Sequence, residues 1–590
     1  MKHFKKILAF VLCAVLLCGV LAGCGGNGAD TSSETSSLTT DAGQGLGGFG
    51  QKFVMKFPSG KFYYTNAVDI QWTGLKANET VTLIIEQKQG DKFVPFLEKT
   101  GLTGTSYTDS KAMPDGDYRI TLKAVSKDGA EKLATNTKGE GLVVTKATLK
   151  SNAEVNKGLD FKFDGKISEK VLNNYLSRAI TYGIYSEADA TLGDFDCEMA
   201  TVAMRAILSV GAKHIARTVS TWIPSATEES GYPEIEAWIT KMHSYDPEIV
   251  FEACIFETAT SKMNTIKIPD WVFKAFGKKD ENRKFDVSKM LHDDKFGFEQ
   301  WGSDLHVPDI TKEETQMWFY YRACNYIDMG FESLHLGQTN LIGNKDGNLS
   351  CWTKVIHMIR DYAKKNARRH YVIINGHYPT QKFVGTDGVM LVDFNAFPLR
   401  LKVAAGEKDH AVSENNPQKC EINMNGDAKA LYTGAISGKS PSGWTTNHYP
   451  YLVEFDNDGG DKDDHTKVSS KGKWGYDEIS WIANQPQWYR HKFMKDVTAQ
   501  VNSFKNNGHV VLPGRRTAFN LGTDGQSYYD MNDSKFYKDG FSDEAGIIAA
   551  WKKKITRLNL SVGEGIHALP ALFCKNQRQQ CGGGVKSNMF

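Results

Sequence analysis

The chain is predicted to be an α/β protein: a (β/α)8 barrel of the TIM type preceded by a small all-β sandwich. Three observations predict this. Strand-like runs crowd together over residues 52–147, whereas from about residue 165 apolar runs alternate with stretches of helical period. Eight such runs can be counted, the number that closes a parallel barrel. The connections are also unequal: short from helix to strand, as in Val210-Gly-Ala-Lys213 and Asp328-Met-Gly330, and long after strands, as over 258–310, 395–449, 457–475 and 515–540. Loops after strands form the face of such barrels where chemistry sits, so a chain that enlarges only that face is building a cleft there.

With 590 residues, 41% apolar and 24% charged, the composition is globular and long enough for two or three folded units. The 71 Lys and Arg nearly balance the 69 Asp and Glu, so no polybasic surface for nucleic acid or anionic membrane is expected.

At the N-terminus, Lys2, Lys5 and Lys6 precede the apolar run from Ile7 to Val20, the pattern of a secretory signal too short for a comfortable membrane span. Leu21-Ala-Gly-Cys24 then resembles the lipobox of bacterial lipoproteins. That resemblance implies cleavage over residues 1–24, lipidation of Cys24, and attachment to the outer side of a bacterial membrane through the lipid alone. Residues 25–50 are rich in Gly, Ser and Thr, a flexible tether. Removing the signal and acylating Cys24 leaves seven of ten cysteines. Cys197, Cys254 and Cys324 read as small core residues, Cys574 and Cys581 bracket a polar tail and are candidates to pair, and no spacing resembles a zinc site.

Residues 51–148 are expected to form the sandwich, with strands around Lys61–Tyr64, Asp69–Trp72, Thr80–Glu86 and Asp117–Val125 separated by turns such as Pro114-Asp-Gly116. The Gly116-to-Leu122 run resembles immunoglobulin-like or fibronectin-III-like modules, which implies a spacer, or else a sugar-binding module using Trp72 and neighbouring tyrosines. The barrel is assigned to residues 160–590. Its strands are expected at 175–182, 214–222, 249–257, 331–338, 370–376, 389–394, 451–456 and 509–514, with helical stripes such as Trp352/Val355/Ile356/Ile359 between most of them. No helix is visible between the fifth and sixth strands.

The run Pro450 to Asp458 is the centre of the site. Alternation places Tyr451, Val453 and Phe455 on one face and Leu452, Glu454 and Asp456 on the other, so a buried strand opens into acid. Strand ends elsewhere contribute Trp222, Glu257, His335, Gln338, Asn375, His377, Asp393 and Arg515, and Arg178 lies in the first strand. Glu332, directly after a tight turn, is assigned to the stability face. Glu252, mid-strand, is expected to pair with Arg178 or Arg217. The loop from Asp456 to Asp464 begins as a calcium loop does but lacks the glycine at position six and the glutamate at position twelve. No cofactor is expected, with Ca2+ as the secondary alternative.

Over residues 165–565 the pattern resembles the catalytic barrels of glycoside hydrolases, and the whole chain resembles surface lipoproteins that join an immunoglobulin-like module to such a barrel. The resemblance implies a membrane-anchored glycoside hydrolase acting on a poly- or oligosaccharide through two carboxyl groups. Glu454 is the expected nucleophile or base, Glu257 the acid, Asp456 their orienting neighbour, and Arg178, Trp222, His335, Gln338, Asn375, His377, Asp393 and Arg515 the sugar-binding residues. The chain departs from many retaining barrels in having Leu336-Gly-Gln-Thr-Asn340 where a fourth-strand acid would stand. Two alternatives follow: a non-catalytic glycan-binding lipoprotein on a degenerate barrel, or a metal-dependent hydrolase using His335, His377, Asp393 and Asp456.

Overall fold

The computed structural model describes residues 52–552 except 59–61, 138–140, 186–197, 379–381, 409, 426, 435, 457–476, 505–506, 519–527 and 534–539. The expectations for the signal, Cys24, the tether, Cys197, the calcium-like loop beyond Asp456, Cys574 and Cys581 therefore fall outside the described residues. Among the described residues no helix is long and apolar enough to cross a membrane.

The first hundred of these residues form two antiparallel-rich sheets. One has the order Val54–Phe57, Ala67–Thr73, Ser106–Ala112; the other runs Phe62–Tyr63, Leu142–Lys146, Gly116–Val125, Thr80–Gln89, Lys92–Leu102. Alternation drives the packing: Val81, Leu83 and Ile85 point into one core with Val68, Ile70 and Trp72, while the residues between them stay partly exposed. Trp72 is a correction to the sugar-binding alternative, because its ring is buried in that core and its indole nitrogen donates to the Gly104 carbonyl at 2.9 Å.

Eight parallel strands then close on themselves: β1 (Ala179–Tyr182), β2 (His214–Val219), β3 (Val250–Cys254), β4 (Ser333–His335), β5 (Ile373–Gly376), β6 (Phe394–Pro398), β7 (Tyr451–Glu454) and β8 (Gly508–Thr517). Closure is made by β1 against β8, Ile180 opposite Leu512. A ninth strand, β9 (Tyr528–Asp530), adds antiparallel to β8. The helices around the barrel include α1 (Glu169–Leu176), α2 (Glu198–Val210), α3 (Tyr232–Tyr245), α4 (Glu313–Asp328), α5 (Ser350–Asn366), α6 (Glu478–Ala483), α7 (Gln487–Ser503) and α8 (Glu544–Trp551), with further short helical turns in the loops between them. Among the described residues none lies between β5 and β6.

The strand alternation sorts the apolar residues into two clusters. Ala216, Val250, Ile373, Phe394, Leu452 and Val511 meet inside the barrel, and Val171, Leu172, Tyr175 and Leu176 of α1 plug its N-terminal end against them. Ile215, Phe251, Leu334, Ile374, Val453 and Leu512 face outward into the layer of helices. Ser168 caps α1 by accepting from the Val171 amide, and because the helix runs on through Tyr175 to Leu176 the first strand begins at Ala179 and not at Tyr175. The sixth strand also begins later than its apolar run suggests. Met390, Leu391 and Val392 pack into the outer cluster without a ladder, and pairing with β7 starts at Asn395 opposite Tyr451.

Leu172 is fully buried in the plug, so Leu172→Ala is expected to cost about 2–5 kcal/mol, read as a lowered midpoint in urea unfolding.

Candidate functional site

Because Leu452 faces the barrel interior, Glu454 two residues later faces it too, at the C-terminal mouth. The Arg217 guanidinium grips it bidentately, Nε to Oε2 at 2.7 Å and Nη2 to Oε1, with Arg516 Nη1 3.6 Å and His377 Nε2 3.8 Å away. Period-two alternation alone would turn Arg217 outward beside Ile215 and Val219. It faces Glu454 instead because the β2–β3 register slips between Ile215 and Val219, and Arg217 takes a left-handed backbone at φ +55°. A bulge that re-aims one side chain is a common device beside functional sites, and the left-handed backbone of a non-glycine residue there is locally strained. Burial works to raise the Glu454 carboxyl, but the Arg217 charge and hydrogen bonds override it and hold the group well below the usual carboxylate range.

One layer deeper, Glu252 on β3 accepts from Asn375 Nδ2 at 2.6 Å, Ser333 Oγ at 3.2 Å and the Arg217 amide at 3.3 Å, with His214 Nε2 at 3.4 Å. Burial would raise this carboxyl as well; His214 and the hydrogen bonds bring it down to about 2. The expected guanidinium partner for Glu252 is thus replaced by imidazole, amide and hydroxyl groups. His335 ends β4 with Nδ1 2.7 Å from Asn375 Oδ1, its ring against His377 (4.9 Å between centroids) and Phe256 (6.1 Å). Burial and then the Arg217 charge push its imidazole down to about 3, so it is neutral. Phe256 continues outward to Trp222 at 5.0 Å and Trp222 to Trp301 at 5.9 Å, forming an aromatic wall.

Glu454, His335, His377 and Asn375 are therefore brought together, with Trp222 beyond Phe256 on the wall. Glu257 lies past the end of β3, buried, and accepts from the Gln338 amide at 2.9 Å and Gln338 Nε2 at 3.0 Å. Gly337 makes that approach feasible, since a Cβ there would stand 2.0 Å from Glu257 Oε2. Asp456 follows Glu454 on the same face; its charge acts on Arg217 and Arg516. Arg515 donates to the Gly183 carbonyl at 2.9 Å and stacks over Tyr528, joining β8 to the β1 end.

Two expected residues lie elsewhere. Arg178 precedes β1, at the N-terminal end, where it donates to the carbonyls of Val155 and Ser177. Asp393 precedes β6 and is bound by Arg360 at 3.0 Å, by the Tyr371 hydroxyl and by the Ile374 amide at 2.8 Å. Both anchor the barrel's base, and the His335/His377/Asp393/Asp456 quartet is not assembled. Among the described residues no three His, Cys, Asp or Glu are placed to hold a metal ion. Glu332 is tied to Arg368 and Arg369 at that same base, as expected.

Sequence reading gave Arg217 to Glu252 and not to Glu454, and it missed two acids at the start of α6. Burial, with the Asp456 charge adding to it, raises Glu478 to about 8 and Asp477 to about 7. Glu478 accepts from the Leu401 and Asp456 amides at 2.9 and 3.0 Å. The available signal was an acidic pair opening an apolar helix directly after the acidic loop.

No family model and no curated protein matches the chain. Among solved structures it is similar to the type III pullulan hydrolase from Thermococcus kodakarensis, at 11% identity over 84% of this chain and 85% of that one, with a TM-score of 0.29. It is similar also to a pullulanase from Bacillus acidopullulyticus, at 9% identity over 79% and 58%, TM-score 0.30. An Fn3-like protein from Clostridium thermocellum matches 17% of this chain over 88% of its own at 18% identity, TM-score 0.11. At these scores the likenesses decide nothing about chemistry, and the barrel rests on its own strand pairing.

Arg217→Met strands a buried carboxylate and is expected to cost about 3–5 kcal/mol, most of it recovered in Arg217→Met/Glu454→Leu, measured by denaturant unfolding. A pH prediction follows from Glu478. Its raised carboxyl favours the folded state fully below about pH 4.5, and that contribution is lost as pH rises toward about 8. The melting temperature of the wild type should fall more steeply across that window than that of Glu478→Met.

Proposed function

We propose that the barrel hydrolyses glycosidic bonds of a poly- or oligosaccharide. The observation that carries this reading is an ionised carboxylate, Glu454, buried at the barrel mouth beside two imidazoles and an aromatic wall. Flat rings suit the C–H faces of sugars, imidazoles and amides suit their hydroxyls, and the buried anion suits the positive charge that builds on the sugar ring as the bond breaks. In this reading Glu454 is the nucleophile or base, Glu257 the acid and Asp456 the residue that orients them; Trp222, His335, Gln338, Asn375, His377 and Arg515 would make or support the sugar contacts. Residues 51–148 serve as a spacer ahead of the catalytic unit at 160–590. The lipobox-like Leu21-Ala-Gly-Cys24 supports an extracytoplasmic protein held to a bacterial membrane by its lipid.

One observation favours glycan capture without cleavage as the second reading. Both oxygens of Glu454 are engaged by Arg217, and both of Glu257 by Gln338, so each must give up a hydrogen bond before it can act on substrate.

A reducing-end release screen over a polysaccharide panel separates the two. Hydrolysis predicts release that survives EDTA and falls by about 10²–10⁴-fold in Glu454→Gln and in Glu257→Gln. Unchanged turnover in both variants would remove the assignment, and retention of a glycan without release would establish capture.

A further inference from the structure

We propose that Glu252 and Asn375 are positioning residues that fix His335 as a hydrogen-bond acceptor, so that the barrel mouth takes a ligand hydroxyl at His335 Nε2.

The direction of every hydrogen bond in this chain of residues is dictated by its deeper end. Glu252 Oε2 lies 2.6 Å from Asn375 Nδ2, and the Leu334 carbonyl lies 3.3 Å from the same nitrogen. An ionised carboxylate and a carbonyl only accept, so the Asn375 amide must present its NH2 to them and its oxygen to His335. That oxygen is 2.7 Å from His335 Nδ1, which must therefore carry the proton. Glu252 cannot turn away, because Ser333 Oγ and the Arg217 amide hold it from other sides.

A neutral imidazole protonated on Nδ1 has a lone pair on Nε2. The site keeps the ring neutral: it is buried, and a second proton would place a positive charge beside Arg217. Nε2 stands on the ring edge opposite Asn375, is itself buried, and has no hydrogen-bond partner among the described residues. His377 and Phe256 pack edge-on against the ring. A buried lone pair costs free energy unless a donor meets it, and the donor a sugar supplies is an O–H. Carboxylate, sulfate and carbonyl oxygens, which bring only lone pairs, are refused at this point. The sugar as source of the hydroxyl rests on the function proposed above; the protonation pattern does not.

The test is a two-bond proton–nitrogen spectrum of the full chain with ring-labelled histidine, the His335 signals identified by their loss in His335→Phe. The expected result is a protonated Nδ1 and a lone-pair Nε2 in the wild type at neutral pH. In Glu252→Gln the Asn375 amide is free to turn, and proton density should appear on Nε2. Glycerol, a small hydroxyl donor, should shift the Nε2 signal of the wild type, and sodium acetate should not. A wild-type His335 protonated on Nε2 or on both nitrogens overturns the relay, and the wild-type spectrum decides this even where a variant does not fold. No response to glycerol overturns the acceptor role. Neither result depends on glycan cleavage, so failure of the hydrolase reading leaves the test intact.

Discussion

A single buried ion pair, Arg217 with Glu454, sets the character of the barrel mouth. Two charges removed from water are tolerated only because they satisfy each other bidentately. Their presence then constrains the neighbours. Burial, and after it the guanidinium charge, keeps His335 neutral and lowers the pKa of the neighbouring Arg516, while the carboxylate lies within reach of His377. The left-handed turn of Arg217 is the local strain that this arrangement carries.

The two ends of the barrel use the same residue types for opposite purposes. At the base, Glu332 with Arg368 and Arg369, Asp393 with Arg360 and Tyr371, and Lys213 with Asp246 are closed sets whose partners come from neighbouring strands and helices. They tie α1 and the helix layer to the strands, and every polar atom they bury is spent inside the fold. At the mouth, the sets remain open. His335 presents a buried Nε2 without a hydrogen-bond partner among the described residues, and burial leaves Glu478 and Asp477 titrating near neutrality. Open sets are what ligand chemistry uses, which is why the C-terminal ends of barrel strands are where function is sought.

Much of this was legible in the chain. Alternation along Tyr451–Glu454 predicted correctly that Glu454 shares a face with Leu452, because side-chain direction in a regular strand depends on nothing beyond the neighbouring residues. Eight apolar runs and the asymmetry of their connections were enough for a closed barrel, and the missing helix between β5 and β6 was visible as missing periodicity. Asp393 was misplaced for a specific reason. The apolar run before it looks like a strand, but those residues pack against helices without a ladder, so the strand frame slipped and a base residue was read as a mouth residue.

The sequence by itself determined the layer structure, the strand parity of Glu454 and the enlarged face, since each follows from local periodicity and connection length. Only the tertiary structure decided that Arg217 meets Glu454, 237 residues away, and that Glu252 governs His335 through Asn375, because a register slip and the circular closure of eight strands set these contacts. Neither leaves a local pattern to read. Pairing across the barrel is a property of its closed ring, and a local register slip re-aims a side chain without changing the composition of the strand.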